Sequence, residues 1–291
     1  MILQEPDYQE QLDFLNANKA SFSEAQQKMN WYGVMAEKQM AYELSTKIST
    51  HEELIVLSDL KVEYGGNTAQ IDHLVISPYC MYFIETKSSS GTLYINKHGE
   101  WERNHKPMES PVEQSKRHEA NLMGILQENR DQFYNKVLFV RKGFGNYQRY
   151  HYVAVSKNGK IYGPGRDSLD KQCKVMKIDQ IASDILADYK AKHKPKALQL
   201  FTMVTASDEE FRMMSKEELD RFGQYLYQVN VVETLEEKFR LPKKEKVVPH
   251  VTEPKVEEEL VQESESKPEL LDEYQGVCRS CYSPNVSTYN S

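Results

Sequence analysis

The sequence predicts an α/β fold: a mixed central sheet flanked by helices, followed by a helical C-terminal segment and a flexible tail. Three observations predict it. Residues 70–87, "QIDHLVISPYCMYFIETK", hold two apolar, β-branched and aromatic runs around Ser77-Pro78-Tyr79-Cys80, which is a hairpin signal. Amphipathic helical stretches bracket this hairpin, one at 29–48 and one led by Pro111. Further on, "KVMKIDQIASDILADYKAK" reads as a strand passing into a helix.

The elements follow in order. Residues 1–30 are polar and helix-prone, with Leu12, Phe14 and Leu15 as apolar anchors. Over 29–48, Glu37, Met40, Ala41 and Leu44 share one stripe at helical spacing, mildly interrupted by Gly33. Residues 54–57 and 60–64 read as two strands, and Gly65-Gly66-Asn67 turns the chain into the hairpin. "GTLYIN" at 91–96 is another strand, followed by a turn at His98-Gly99 and the strand "EWERN". Ser110 as N-cap and Pro111 in the first turn open a helix that gathers Val112, Gln114, Ser115 and His118 near one another. "KVLFVRK" and "HYVAVSK" are short apolar strands, and Asp179 is the expected N-cap of the helix after "KVMK". "GKIYGPGR" lacks the spacing of a phosphate-cradling loop and reads as a turn. Residues 197–238 are helical, with a capping box from Ser215 to Glu218. The expected organisation is a helical extension at 1–30, an α/β domain at 31–190, a helical segment at 191–240, a flexible acidic linker at 241–277 and a Cys-x-x-Cys tail at 278–291.

The hairpin carries charge where core strands rarely do, because burying a lone charge is costly. With Pro78 and Tyr79 at the tip, Asp72 lies opposite Glu85 and Gln70 opposite Lys87, and alternation puts all four on one face. Ile71, Val75, Tyr82 and Ile84 take the other face, and His73 beside Asp72 reads as a packed histidine. Two carboxylates directly opposed destabilise a strand pair, and a bound cation would remove that penalty. Hard divalent cations take one or two carboxylates together with water and substrate phosphate. Asp followed by Glu-x-Lys therefore suits a metal site aimed at a phosphodiester. A half-exposed hairpin with a surface Glu–Lys pair fits the same spacing, and a one-residue slip would separate the residues. On its own, Glu37 reads as a solvated helix edge and His118 as a surface histidine.

"GGNTAQIDHLVIS…MYFIETKSSSG" resembles the NERD (nuclease-related domain) family, which is grouped with nucleases of the restriction-endonuclease-like fold and their D…(D/E)-x-K motif. The resemblance reaches Ala36-Glu37, where the family usually has Gly-Glu, "WERN" at 101–104, and "SPVEQ" at 110–114, where the family usually has Asn-Pro-x-x-Gln. It covers roughly residues 31–155. Ala36 for Gly, Ser110 for Asn and Ser88 for a frequent Asn depart from the pattern; none removes a proposed ligand, though they bear on substrate positioning. The resemblance implies a restriction-endonuclease-like sheet and metal-dependent hydrolysis of phosphodiesters, with DNA processing or repair as the setting. It assigns Asp72, Glu85, the Thr86 main-chain carbonyl and Glu37 to Mg²⁺ or Mn²⁺. Lys87 would orient water and offset developing charge, and Gln70 and Gln114 would position water or substrate. The rival reading is a catalytically weak or inactive nucleic-acid-binding or scaffold module on the same fold.

Composition bounds these readings. The 291-residue chain has a net charge of −7, which argues against a strongly basic nucleic-acid binder. Ten acidic and five basic residues between 242 and 275 account for −5 of it, so a local basic groove is compatible with the rest. No apolar run approaches the ~20 residues of a membrane span, and "MILQEPDYQEQ" lacks a signal-peptide pattern. Two of the four cysteines, Cys80 and Cys173, are isolated in strand-like contexts, so a reducing cytoplasm is expected. Cys278 and Cys281 resemble the first half of a zinc ribbon. A closed Zn²⁺ site takes four ligands, which a dimer joined through two tails would supply; a remnant, a truncated chain or two free thiols are the alternatives.

Overall fold

The computed structural model describes residues 1–88, 91–135, 144–145, 147–193 and 214–241. The chain divides into two units, Met1–Lys243 and Lys244–Ser291. The second unit lies outside the described residues, and with it almost all of the expected acidic linker and the Cys278–Cys281 pair. The strand expected at "KVLFVRK" lies outside them as well.

The first unit opens with β1 (Ile2–Gln4), α1 (Tyr8–Ala17) and α2 (Glu24–Ile48). Next come β2 (Ile55–Tyr64), β3 (Asn67–Ile76), β4 (Cys80–Lys87), β5 (Thr92–Ile95), β6 (Trp101–Arg103) and β7 (Lys106–Met108). Then follow α3 (Pro111–Glu128), β8 (Gln148–Val155), β9 (Lys160–Tyr162), β10 (Cys173–Lys177), α4 (Ile178–His193), α5 (Lys216–Gln228) and α6 (Leu235–Lys238). Six strands build the main sheet in the order β1-β2-β3-β4-β8-β10. The β2-β3-β4 meander is antiparallel, while β1, β8 and β10 add in parallel, so the sheet is mixed.

Helices cover both faces, which is why β3 and β4 read as nearly unbroken apolar runs. On one face Leu57, Leu74, Met81 and Phe83 pack against Leu122 and Leu126 of α3 and Phe222 and Leu226 of α5. On the other, Val75, Tyr82, Ile84 and Tyr152 meet Met40 and Leu44 of α2 and Ile181 and Ile185 of α4. The helices at 216–241 thus share this core: α5 closes one face, and Phe239 just past α6 stacks on Phe14 of α1 at 5.9 Å.

Local signals are met closely at the helix starts. Ser110 Oγ accepts from the Glu113 N–H with Pro111 in the first turn, and Ser215 and Glu218 form the expected reciprocal box. Asp179 differs: α4 begins at Ile178, so Asp179 lies inside its first turn, where a carboxylate still favours the helix dipole. A second, four-stranded sheet, β7-β6-β5-β9, was not expected. The "GKIYGPGR" stretch supplies its edge strand β9 and a following turn. Gly163 sits at φ +106°, and a Cβ there would lie 2.0 Å from the Ile95 carbonyl oxygen, so glycine serves close packing against β5.

The hairpin register holds as expected where the strands pair, from Ile76↔Met81 to His73↔Ile84. There the β3–β4 ladder ends, and β4 continues alongside β8 through Lys87↔Val155. The two strands expected at 54–57 and 60–64 are one strand, β2, with an irregular joint at Asp59, whose φ is +57°. Same-facing apolar residues are spaced by three across this joint, Leu57 to Leu60 on β2 and Ile71 to Leu74 on β3. Both strands therefore change face together while their register stays constant from Ile55↔Ile76 to Tyr64↔Asn67. This corrects the placement of Ile71. It packs with Leu60, Val62 and Leu74, not with Val75, Tyr82 and Ile84, because simple alternation fails at the joint.

Candidate active site

The joint and the parting of β3 from β4 place polar side chains where a regular sheet would bury apolar ones. Asp72 sits at the parting. Its Oδ2 accepts the Thr86 N–H at 2.6 Å, replacing a ladder bond with a side-chain bond across the gap. Burial pushes the Asp72 carboxyl well above the usual carboxylate range, and the charges of Glu85 and Glu37 push it further. Glu85 is only 4% exposed. Lys87 Nζ lies 2.6 Å from Glu85 Oε1 and donates to Gln114 Oε1 at 3.0 Å, so α3 braces the end of β4. The Thr86 hydroxyl oxygen is buried with no hydrogen-bond partner.

Glu37 reaches the group from α2. Burial raises its pKa to about 7, with Asp59 and Glu85 raising it and Lys238 and Lys87 opposing them. Its stripe partners Met40, Ala41 and Leu44 are buried, so the helix face that packs on the sheet also aims Glu37 inward. Among the expected site residues, Asp72, Glu85, Lys87, Glu37, Gln114 and the Thr86 backbone are brought together. Gln70 is not opposite Lys87. It pairs with Lys61 on β2, and its amide donates to Asp59 Oδ1 at 2.5 Å. The cause is the end of the β3–β4 ladder, beyond which no backbone bonds hold those two strands in register.

His73 is fully buried, with Nδ1 2.9 Å from Ser58 Oγ, and burial lowers its pKa to about 3. It is the packed histidine that alternation implied. His118 is not a simple surface residue. Its Nδ1 stands 3.9 Å from Glu85 Oε2, and burial lowers its pKa, opposed by Glu85. One helical turn of α3 carries both Gln114 and His118 to the same carboxylate end of β4.

Two residues that sequence reasoning missed complete the charge pattern. Asp59 stands at the joint of β2, and Lys238 of α6 places Nζ 2.5 Å from its Oδ2. The one signal for Asp59 was its position: an acidic residue interrupting an otherwise continuous apolar strand. Lys238 had no signal, because its partner is 179 residues away. A non-glycine residue in the left-handed region costs roughly 1–3 kcal/mol and tends to mark functional sites. Asp59 tolerates it better than most, and its backbone is held by Gln4, whose amide donates to the Ser58 and Asp59 carbonyls at 2.9 Å.

The raised carboxyl pKa of Glu37 sets a pH dependence of stability. A carboxyl raised in the folded state binds its proton more tightly there than in the unfolded chain, so its contribution is present below about pH 4.5 and lost as pH rises to about 7. His73 acts oppositely, its contribution being lost as pH falls from about 6.5 toward 3. The difference between Glu37→Gln and the parent isolates the first effect. The metal-free variant is expected to gain melting temperature over the parent progressively from pH 5 to pH 7.5, and a pH-independent difference in thermal melts would contradict the placement of Glu37.

As they stand, no three His, Cys, Asp or Glu side chains among the described residues are grouped to hold a metal ion. The donors nonetheless suit a hard cation: carboxylates withdrawn from water, mutually repelling, beside a buried hydroxyl without a partner. Lys87 balances Glu85, and Lys238 balances Asp59.

Residues 32–140 match the nuclease-related domain family, NERD. That span contains Glu37, Asp59, Asp72, Glu85, Lys87 and Gln114, and leaves out α5 and α6 with Lys238. No curated protein and no solved structure matches the chain.

Proposed function

We propose that this chain is a Mg²⁺- or Mn²⁺-dependent nuclease that hydrolyses phosphodiester bonds in DNA, in DNA processing or repair. The observation that carries the reading is Asp72, held on the Thr86 N–H beside the Glu85–Lys87 pair where β3 and β4 part, with Glu37 near enough for its charge to act on Asp72, within the segment that matches the nuclease-related domain. Asp72, Glu85 and Glu37 would hold the ion, with the Thr86 carbonyl as a further oxygen ligand. An ion held there would supply activation of a water molecule and would offset charge on the phosphate.

The chain's own groups do the rest. Among the described residues, two of the three N–H donors of Lys87 are used by Glu85 and Gln114, which fixes the ammonium and leaves a donor for a phosphate oxygen or the attacking water. Binding of the ion would favour the carboxylate form of Glu37, whose pKa burial raises to about 7 without it. Gln114 orients Lys87, whereas Gln70 acts at one remove by fixing Asp59. His118 adds a neutral imidazole beside Glu85 that could hydrogen-bond a phosphate oxygen or water.

The rival reading, a nucleic-acid-binding module without turnover, is favoured by one feature: Glu85 is already paired with Lys87, and among the described residues no three such side chains are grouped to hold a metal. The buried free thiols of Cys80 and Cys173 support a reducing, cytoplasmic setting for the proposed activity. Among the described residues no helix is long and apolar enough to cross a membrane.

Purified protein incubated with labelled single- and double-stranded DNA and RNA, with and without Mn²⁺, separates the two. Cleavage of DNA that requires metal is the expected result. Binding without cleavage of any of the four substrates, in Mg²⁺ and in Mn²⁺, would establish the rival.

A further inference from the structure

The outer face of α2 carries exposed rings that no packing requirement explains. Tyr32 is 58% exposed, Met35 43% and Tyr42 63%. With Gln39 they recur at i, i+3, i+7 and i+10, so they share one side of the helix over roughly 15 Å of its length. They line a groove of about 530 Å³ together with Lys38, and its far wall includes Ser88. Ser88 directly follows Lys87, so the groove opens onto the end of the strand that carries Glu85 and Lys87. Tyr32 also borders a second groove with Trp31, Lys19 and the Lys28–Glu24 ion pair, which extends the surface toward the start of α2.

We propose that this face of α2 is a track for single-stranded nucleic acid, with bases stacked on Tyr32 and Tyr42, leading the strand to the candidate active site. The proposal rests on the nuclease reading and names the form of its substrate. Two features select this occupant over an apolar protein surface. Among the described residues that line the groove beside Ser88 there is a lysine and there are several hydrogen-bonding side chains, but no carboxylate, in a chain whose net charge is −7. The groove also reaches Ser88, next in the chain to Lys87 of the proposed active site. Unpaired bases present their π-faces to such rings, and stacking of this kind tolerates any sequence. Bases in a duplex are stacked on each other and have no face to offer.

The test uses the full chain in chelator, so that binding is read without cleavage. A fluorescein-labelled oligothymidylate and its duplex with oligodeoxyadenylate are titrated by anisotropy. The single strand is expected to bind more tightly than the duplex. Tyr42→Ala and Tyr32→Ala are each expected to weaken single-strand binding by about tenfold, with melting temperatures unchanged, and Tyr42→Phe should restore it. The chain has two tryptophans, of which Trp101 is buried at 3% and Trp31 is 39% exposed, so the unlabelled single strand should quench the Trp31 emission. Equal affinity of the alanine variants and the parent, or preference for duplex, would overturn the proposal. So would a change in sedimentation of the alanine variants without a change in binding, which would make the face a protein contact. Metal-dependent cleavage of single-stranded DNA by the parent reports on the active site separately, so a failed track and a failed nuclease give different results.

Discussion

Asp72→Asn is expected to abolish metal-dependent cleavage, by about 10²–10³-fold or more, while the fold persists. Asparagine is the informative replacement because its side-chain carbonyl can still accept the Thr86 N–H, which Asp72 now holds at 2.6 Å. Alanine would leave that N–H without its partner and confound the result, since a lost hydrogen bond of this kind costs about 1–3 kcal/mol. The substitution should also stabilise the metal-free protein at neutral pH. Burial and the charges of Glu85 and Glu37 all disfavour the ionised Asp72, and the neutral amide escapes them. Added Mn²⁺ should raise the melting temperature of the parent more than that of the variant. Rates on labelled DNA, with melts in chelator and in Mn²⁺, check each part. A variant that cleaves at the parent's rate would remove Asp72 from the site.

Lys87→Ala is expected to lower turnover by about 10²-fold or more, through loss of one preorganised positive group at the phosphate. Its effect on metal binding should have the opposite sign. Lys87 Nζ sits 2.6 Å from Glu85 Oε1, so removing it frees a carboxylate oxygen and makes the cluster more negative. Calorimetric titration with Mn²⁺ should therefore show affinity equal to or above the parent's, while single-turnover rates fall. Near-normal turnover would make Lys87 only the partner of Glu85. The split between affinity and rate distinguishes this variant from Asp72→Asn, which should lose both.

Much of the site was legible because its determinants are local. The turn at Ser77–Cys80 fixed the register that brings Asp72 near Glu85, and the helical stripe on α2 pointed Glu37 toward the sheet. Ser110 and Pro111 set the start of α3, which decides that Gln114 faces Lys87. Gln70 was misplaced because alternation was carried past the point where the ladder ends. His118 was misjudged for a different reason: periodicity tells which face of α3 it occupies, but not that Glu85 projects toward that face.

By itself, the sequence determined the α/β class, the hairpin and its register, the starts of α3 and α5, and the Asp–Glu-x-Lys spacing. These follow from side-chain alternation, helical periodicity and turn chemistry, which act over a few residues. The tertiary structure alone decided that β2 and β3 change face together at Asp59 and Asp72, since a matched irregularity on two strands exists only in their pairing. It also decided that Lys238 from α6 balances Asp59 across 179 residues of chain. That pair is held by the packing of α5 on the sheet and of Phe239 on Phe14, and long-range packing of this kind leaves no periodic trace in the sequence.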